Sequence, residues 1–247
     1  MKSDHLKIGF DRALNLQWLN AAADIARKNI RESEKIALID EMLSGTPLGK
    51  EARRKSRTVL ASIWVRKNDE QASFHKSSIH LLEKTGINDR IILHWGRCIA
   101  TYPFFGFVAT QCGRLQKLQD DMTIHEIKRR VVEKYGDTER VIRSIRQTIQ
   151  TFKLWGILKQ EGSNEYTAEQ KRKINSKEIS AWLLQSFFYY QSTQTASFDE
   201  LTHHPVFFPF ALAEVNPKRI SLLNEQLDFI QNGIHDISIT IKNGKKS

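Results

Sequence analysis

Apolar residues recur along most of this chain at intervals of three and four, the spacing typical of amphipathic helices. A first helix is predicted from Phe10, because Leu14, Trp18, Ala22 and Ile25 follow this spacing. Two more helices are predicted over residues 33–45 and 47–67. A very apolar stretch over 88–119, interrupted near Pro103, predicts two further helices that form the core of the middle part of the chain.

The stretch TIHEIKRRVVEKYGDTERVIRSIRQTIQTFKLWGIL, from residue 123, predicts two helices joined by a short turn. Thr123 and Glu126 have the spacing of a capping box, and Gly136 ends the first helix. The second helix has an apolar stripe, formed by Ile142, Ile145, Ile149 and Phe152. The following ILKQEGSNEYTA predicts a β-hairpin around its Gly-Ser-Asn turn. Helix, turn, helix and hairpin occur in the order of a winged helix.

The last part of the chain predicts mixed structure. Residues 176–191 read as a helix, 203–224 as one or two short strands among prolines, and 224–233 as a short helix. Ile237, Ile239 and Ile241 alternate with polar residues, as in a half-exposed strand. We therefore predict a mainly α protein: an N-terminal helical unit (1–70), a helical core with a winged helix-turn-helix (71–168), and a small mixed α/β C-terminal part (169–247).

The chain has 247 residues and a formal net charge of +10, a surplus that favours polyanionic partners only where it is clustered. Residues 123–160 contain nine basic and four acidic residues, a net charge of +5. Residues 47–67 contain seven basic and one acidic residue, a net charge of +6. Together these two segments account for the whole surplus, which is the distribution that a binding surface requires.

On the second helix of the predicted winged helix, polar residues recur opposite the apolar stripe. These are Arg140, Arg143, Gln147 and Gln150, whose side chains are of the types that hydrogen-bond phosphates and the base edges of DNA. Arg129, Arg130 and Lys134 of the preceding helix, and Lys159 of the hairpin, add positive charge beside it. The alternative interpretation is an ordinary solvated face, since an amphipathic helix must place polar residues outward.

A second predicted DNA contact lies upstream, where Lys50, Arg53, Arg54 and Arg57 share one face of a helix. Like charges at this spacing repel one another, and a bound polyanion would relieve that repulsion. An exposed basic helix without a partner is the alternative interpretation.

The sequence offers no clear catalytic or metal-binding set. It lacks a glycine-rich phosphate loop and a nucleophile elbow, and Cys98 and Cys112 have no further ligands at zinc spacing. We therefore predict no cofactor, no metal, and two buried free thiols. The longest apolar run is too short to span a bilayer, so we expect a soluble cytoplasmic protein without a membrane partner.

The segment ILHWGRCIATYPFFGFVATQCGRL (92–115), leading into the helix-turn-helix, resembles the small BrxA-type proteins of BREX phage-defence systems. The similarity covers residues 10–165 and includes the RRKSR helix at the place of that family's first basic element. It does not extend to the C-terminal part. The resemblance implies a non-catalytic accessory protein of a defence operon that binds double-stranded DNA, with other defence proteins as further partners.

Three other functions remain open from the sequence. A transcriptional regulator would bind DNA through the same helix. An assembly adaptor would use the winged helix for packing and would expose an aromatic patch around QSFFYYQ (185–191). An enzyme of unrecognised type would need a polar pocket near His203 and His204.

Overall fold

A computed structural model describes residues 8–231, 233 and 236–242. The prediction of a mainly α protein is confirmed. The helices of the described part are α1 (Leu16–Ala26), α2 (Glu32–Ser44), α3 (Lys50–Trp64), α4 (Ala72–Lys84), α5 (Arg90–Thr101), α6 (Pro103–Gln116), α7 (Ile124–Tyr135), α8 (Glu139–Leu154), α9 (Lys177–Gln191), α10 (Phe198–His203) and α11 (Ile220–Leu223). The strands are β1 (Asp121–Thr123), β2 (Leu158–Gln160), β3 (Glu165–Ala168), β4 (Arg172–Lys173), β5 (Thr195–Ser197), β6 (Phe210–Ala211), β7 (Leu227–Gln231) and β8 (Ile237–Ile241).

Helices α5, α6 and α9 form the centre of the molecule. The predicted break near Pro103 is present, because α5 ends at Thr101 and Pro103 begins α6. Two glycines let α9 approach closely: a Cβ on Gly96 would lie 2.6 Å from the Trp182 ring, and one on Gly106 would lie 2.6 Å from the Tyr190 ring. The buried hydrophobic residues form one continuous cluster that includes members of all three predicted parts.

The first helix begins later than predicted. Residue Asn15 caps α1, since its side-chain oxygen accepts a hydrogen bond from the Trp18 backbone N–H at 2.8 Å. The preceding residues 8–14 form no helix or strand. Phe10 and Leu14 are nevertheless fully buried. We refer to residues 8–14 as the N-terminal segment.

Residues 103–168 contain the elements α6, β1, α7, α8, β2 and β3 in that order. Their three strands form an antiparallel sheet with the order β1-β3-β2, in which Met122 pairs with Tyr166 and Lys159 with Thr167. The capping box is present at the start of α7: Thr123 and Glu126 exchange hydrogen bonds between side chain and backbone at 2.9 and 3.2 Å. The sequence did not predict β1, which has only three residues.

The C-terminal part repeats this order of elements in shorter form. Helix α9 is followed by β5, α10, α11 and the hairpin β7–β8, with the two-residue strand β6 inserted between α10 and α11, and the sheet order is β5-β8-β7. The predicted short helix over 224–233 is wrong, because Leu227–Gln231 pairs along its whole length with β8. The predicted strand at Ile237–Ile241 is confirmed as β8. The two-residue strands β4 and β6 pair in parallel and form a separate small sheet.

A histidine is fully buried in the core without a charged partner. His94 Nδ1 accepts a hydrogen bond from Trp64 Nε1 at 3.2 Å, and its Nε2 lies 2.9 Å from Asn20 Oδ1. Because an indole nitrogen can only donate, the imidazole is neutral, with its proton on Nε2. Burial lowers the pKa of His94 to about 3, and the pKa values of His75 and His204 are each lowered to about 4 for the same principal reason.

We expect these histidines to make the protein acid-sensitive. Below pH 6.5 the unfolded chain binds protons that the folded chain does not, so the free energy of unfolding decreases as the pH falls. His94 alone contributes a loss of about 1.4 kcal/mol per pH unit from pH 6.5 towards its folded pKa. Urea unfolding of the wild type and of His94→Gln at pH 7.5, 6 and 5 measures this slope. An equal slope in the two proteins would contradict the assignment.

Candidate nucleic-acid interface

A cleft of 460 Å³ lies between the N-terminal end of α7, the outer side of α8 and the tip of the β2–β3 hairpin. Its floor is apolar and is formed largely by isoleucines of α7 and α8. Its polar lining residues come from all three elements: His125, Lys128, Arg146, Gln150 and Asn164. The cleft thus combines cationic and amide side chains, the types that contact phosphates and base edges.

Helix α8 has a regular division between a buried and an outer side. Thr138 caps it, since its hydroxyl accepts a hydrogen bond from the Val141 N–H at 3.3 Å. The residues turned into the core are Val141, Ser144, Ile145, Thr148, Ile149, Thr151 and Phe152. Ile142, which the sequence placed in the core stripe, is only partly buried and lines the cleft. The exposed polar residues Arg143, Arg146 and Gln150 follow one another at intervals of three and four.

The N-terminal segment covers one flank of α8. The backbone N–H of Ala13 donates to Gln147 Oε1 at 2.8 Å, and that of Leu14 donates to the Thr151 hydroxyl at 3.2 Å. At the end of the helix, Trp155 Nε1 donates to the Leu14 carbonyl at 2.9 Å. The polar side of α8 is therefore partly used to hold another segment of the same chain.

This packing corrects two of the four predicted positions on α8. Gln147 does not face outward: it is half-buried, and its side-chain oxygen is occupied by Ala13. Arg140 is exposed, but its guanidinium donates to the Ile8 carbonyl at 2.7 Å and does not line the cleft. Arg143 and Gln150 do lie on the exposed side, and Arg143 forms an ion pair of 2.8 Å with Glu139.

The three predicted cations of α7 lie outside the cleft. Arg129 is exposed and Arg130 half-buried, but neither lines it. The ammonium group of Lys134 lies 4.5 Å from the centre of the Phe107 ring, in a cation–π contact with α6. On the hairpin, Lys159 is exposed and forms an ion pair of 2.9 Å with Glu161. These four residues are thus peripheral to the cleft.

The second predicted cluster is paired with acidic residues that the local sequence did not reveal. Asp40 of α2 lies 3.7 Å from the Arg53 guanidinium and 3.2 Å from that of Arg57. Arg54 forms an ion pair of 3.0 Å with Glu51, and Lys50 is exposed. The expected unrelieved repulsion is therefore wrong for Arg53 and Arg57, because α2 supplies a carboxylate that pairs with both.

Sequence reasoning missed three cationic or polar residues of the cleft: His125, Lys128 and Arg146. Among the arginines of α8, Arg140 bonds to the Ile8 carbonyl and Arg143 to Glu139, whereas Arg146 forms no hydrogen bond or ion pair with any residue that the structure describes. The helical period contained the signal for Arg146, which lies between Arg143 and Gln150 on the same side of α8. For His125 and Lys128 the sequence held no signal, because their place depends on how α7 packs against α8.

A larger cleft, of 610 Å³, includes His203 and His204. His204 Nδ1 accepts a hydrogen bond from the Val206 N–H at 3.2 Å, and burial, with Arg114 and Lys117 nearby, lowers its pKa to about 4. His203 Nδ1 lies 3.1 Å from the Asp199 carboxylate on its own helix. Both histidines thus bond to residues near them in the chain, and one partner of His203 Nδ1 is the Thr202 hydroxyl, at 3.2 Å.

The aromatic residues of 185–191 do not form an exposed patch. Phe187, Phe188 and Tyr190 are buried in the core, and Tyr189 is partly buried against it. Both cysteines, Cys98 and Cys112, are buried and free. In the described ranges, no group of three or more His, Cys, Asp or Glu residues could hold a metal ion.

Comparison of the chain with protein-family models, curated proteins and solved structures finds no match. Within the described residues, the helices are too short or too polar to cross a membrane.

Gln147 and Gln150 form a matched pair on one helix, and we expect their replacement by alanine to differ in its effect on stability. Gln147→Ala removes the half-buried acceptor of the Ala13 N–H and should lower the free energy of unfolding by about 1 kcal/mol. Gln150→Ala removes an exposed side chain and should change it by less than about 0.5 kcal/mol. Chemical denaturation of both variants measures the difference. Equal losses would mean that the N-terminal segment does not depend on Gln147.

Proposed function

We propose that residues 103–168 are a winged helix-turn-helix that binds double-stranded DNA, with α8 as its recognition helix. The order α6-β1-α7-α8-β2-β3 and the sheet order β1-β3-β2 support this proposal. In such a module the second helix enters the major groove and the hairpin lies beside the backbone. The observation that carries the proposal is the free Arg146 on the outer side of α8, followed one turn later by Gln150.

We assign the contacts differently from the sequence prediction. Arg146 and Gln150 face the base edges, and Arg143 lies beside them on the same exposed side of the helix. His125 and Lys128 of α7 and Asn164 of the hairpin line the same cleft and contact the backbone. Gln147 receives no DNA contact in this assignment, because it stabilises the fold through its hydrogen bond with Ala13. The protein is then a non-catalytic DNA-binding component of a phage-defence system of the BREX type, as the sequence resemblance implies.

An assembly adaptor explains the same surface less well. The aromatic patch that it would require around residues 185–191 is buried. The cleft is instead lined by cationic and amide groups, which suit a polyanion. A transcriptional regulator would use the same DNA contacts and differs only in the sequence that it recognises.

Binding of a labelled random DNA duplex, measured by fluorescence anisotropy over a range of salt concentrations, tests the proposal. We expect binding that weakens steeply with salt, since each neutralised phosphate contributes about 0.9 to the logarithmic slope. A duplex RNA of matched length serves as the comparison. Absence of DNA binding at low salt would refute the proposed function.

Arg146→Ala identifies the interface within this assay. Removing this arginine should weaken binding to DNA by roughly tenfold, because a hydrogen bond that involves a charged group is worth about 1.5–3 kcal/mol. Arg219→Ala is the matched control, since it removes the same charge from an exposed position in the C-terminal part. Both variants should unfold at the wild-type temperature. Equal weakening by the two substitutions would indicate a general effect of net charge and would exclude α8 as the recognition helix.

A further inference from the structure

A further cleft, the second beside α8, lies where α3, the first turn of α8 and the N-terminal segment meet. Its volume is 460 Å³, and the residues that line it all carry charge: Asp11, Lys55, Glu139, Arg140 and Arg143. Lys55 belongs to α3 and the two arginines to α8, so the fold brings together both basic segments of the sequence at this place. Lys55 was counted in the upstream basic segment but was not among the predicted contacts.

The two carboxylates of this cleft do not neutralise its three cations. Lys55 Nζ lies 3.4 Å from Asp11 Oδ2, and Arg143 is paired with Glu139. The Arg140 guanidinium donates to the Ile8 carbonyl, a neutral group, and has no carboxylate partner among the described residues. The Lys55 and Asp11 side chains are 31% and 29% exposed, so their ion pair is only partly shielded from water and remains open to exchange.

The position of Asp11 is fixed by the residues around it. The ring of the neighbouring Phe10 is buried, with its centroid 5.0 Å from that of Phe105 and 5.7 Å from that of Tyr102. Ala13 is held by Gln147 through its backbone. The carboxylate is therefore held beside Lys55 by packing on both sides of it in the chain, in the cleft that all three cations line.

We propose that this cleft binds one phosphodiester group of the DNA backbone through Lys55, Arg140 and Arg143, and that Asp11 competes with that phosphate for Lys55. The inference rests on the proposed function, to which it adds a backbone contact beside the recognition helix. Arg143 connects the two places, since it lines the second cleft and lies next to Arg146 on α8. Asp11 acts as a built-in competitor that weakens binding to any duplex, whatever its sequence.

Asp11→Asn tests this competition, because it removes the charge and keeps the shape of the side chain. We expect tighter binding of a random DNA duplex, by about fivefold to tenfold near 0.1 M salt, and a logarithmic salt slope steeper by about 0.9. Asp40→Asn is the matched control: it adds the same net charge but lies with Arg53 and Arg57, outside the cleft. It should leave the slope unchanged.

Lys55→Met in the wild-type and Asp11→Asn proteins completes a double-mutant cycle. The methionine keeps most of the aliphatic stem, and thermal unfolding checks that each variant folds. Lys55→Met should abolish the gain that Asp11→Asn produces. A gain that persists without Lys55, or an equal gain from Asp40→Asn, would overturn the proposal.

The same measurements separate this inference from the proposed function. If Arg146→Ala weakens binding but Asp11→Asn has no effect, the second cleft is not a phosphate site and the recognition helix stands. If neither the wild type nor Asp11→Asn binds duplex DNA, both proposals fail. Inorganic phosphate is compared with chloride at equal ionic strength. A higher melting temperature of Asp11→Asn in phosphate, without any gain in its binding of duplex DNA, would assign the cleft to free phosphate and overturn the backbone contact.

Discussion

The packing of the N-terminal segment along α8 is the constraint on which the arrangement of the basic surface depends. Phe10 is inserted among core aromatic rings, and the backbone of Ala13 and Leu14 is bonded to side chains of α8. Buried backbone groups need such partners, and here polar residues of a helix provide them in place of a strand. The segment thereby joins the N-terminal helices to α8 and fixes the distance between α3 and the proposed recognition helix.

This packing divides the polar side of α8 into two strips with different roles. The strip with Gln147 and Thr151 stabilises the fold, whereas the strip with Arg146 and Gln150 remains free. Arg140 and Arg143 lie at the boundary, next to Asp11 and Lys55. The polar character of the helix face alone therefore does not distinguish the two strips; the hydrogen bonds to the N-terminal segment do.

The sequence predicted the elements that local interactions stabilise. It failed to predict features that depend on contacts between distant parts of the chain. The period of α8 predicted its buried side, including Ile145 and Phe152, and Thr123 with Glu126 predicted the start of α7. The same period placed Gln147 and Gln150 on one polar face, because it does not reveal which other segment covers that face. Residues 227–231 were read as helix since their strand depends on pairing with β8. Asp40, which pairs with Arg53 and Arg57 of α3, likewise lies on another helix, α2.

The recurrence of the element order in the C-terminal part shows why topology alone does not assign DNA binding. Residues 103–168 contain eleven basic and eight acidic residues, whereas residues 177–242 contain four basic and seven acidic ones. The helix before the second hairpin, α11, has four residues, about one turn, against sixteen in α8. A helix of one turn on an acidic surface is too short to read several base pairs in a groove. The two parts share the sheet order and a capped helix after the first strand, so what distinguishes α8 as the proposed reader is its length and its free cationic strip.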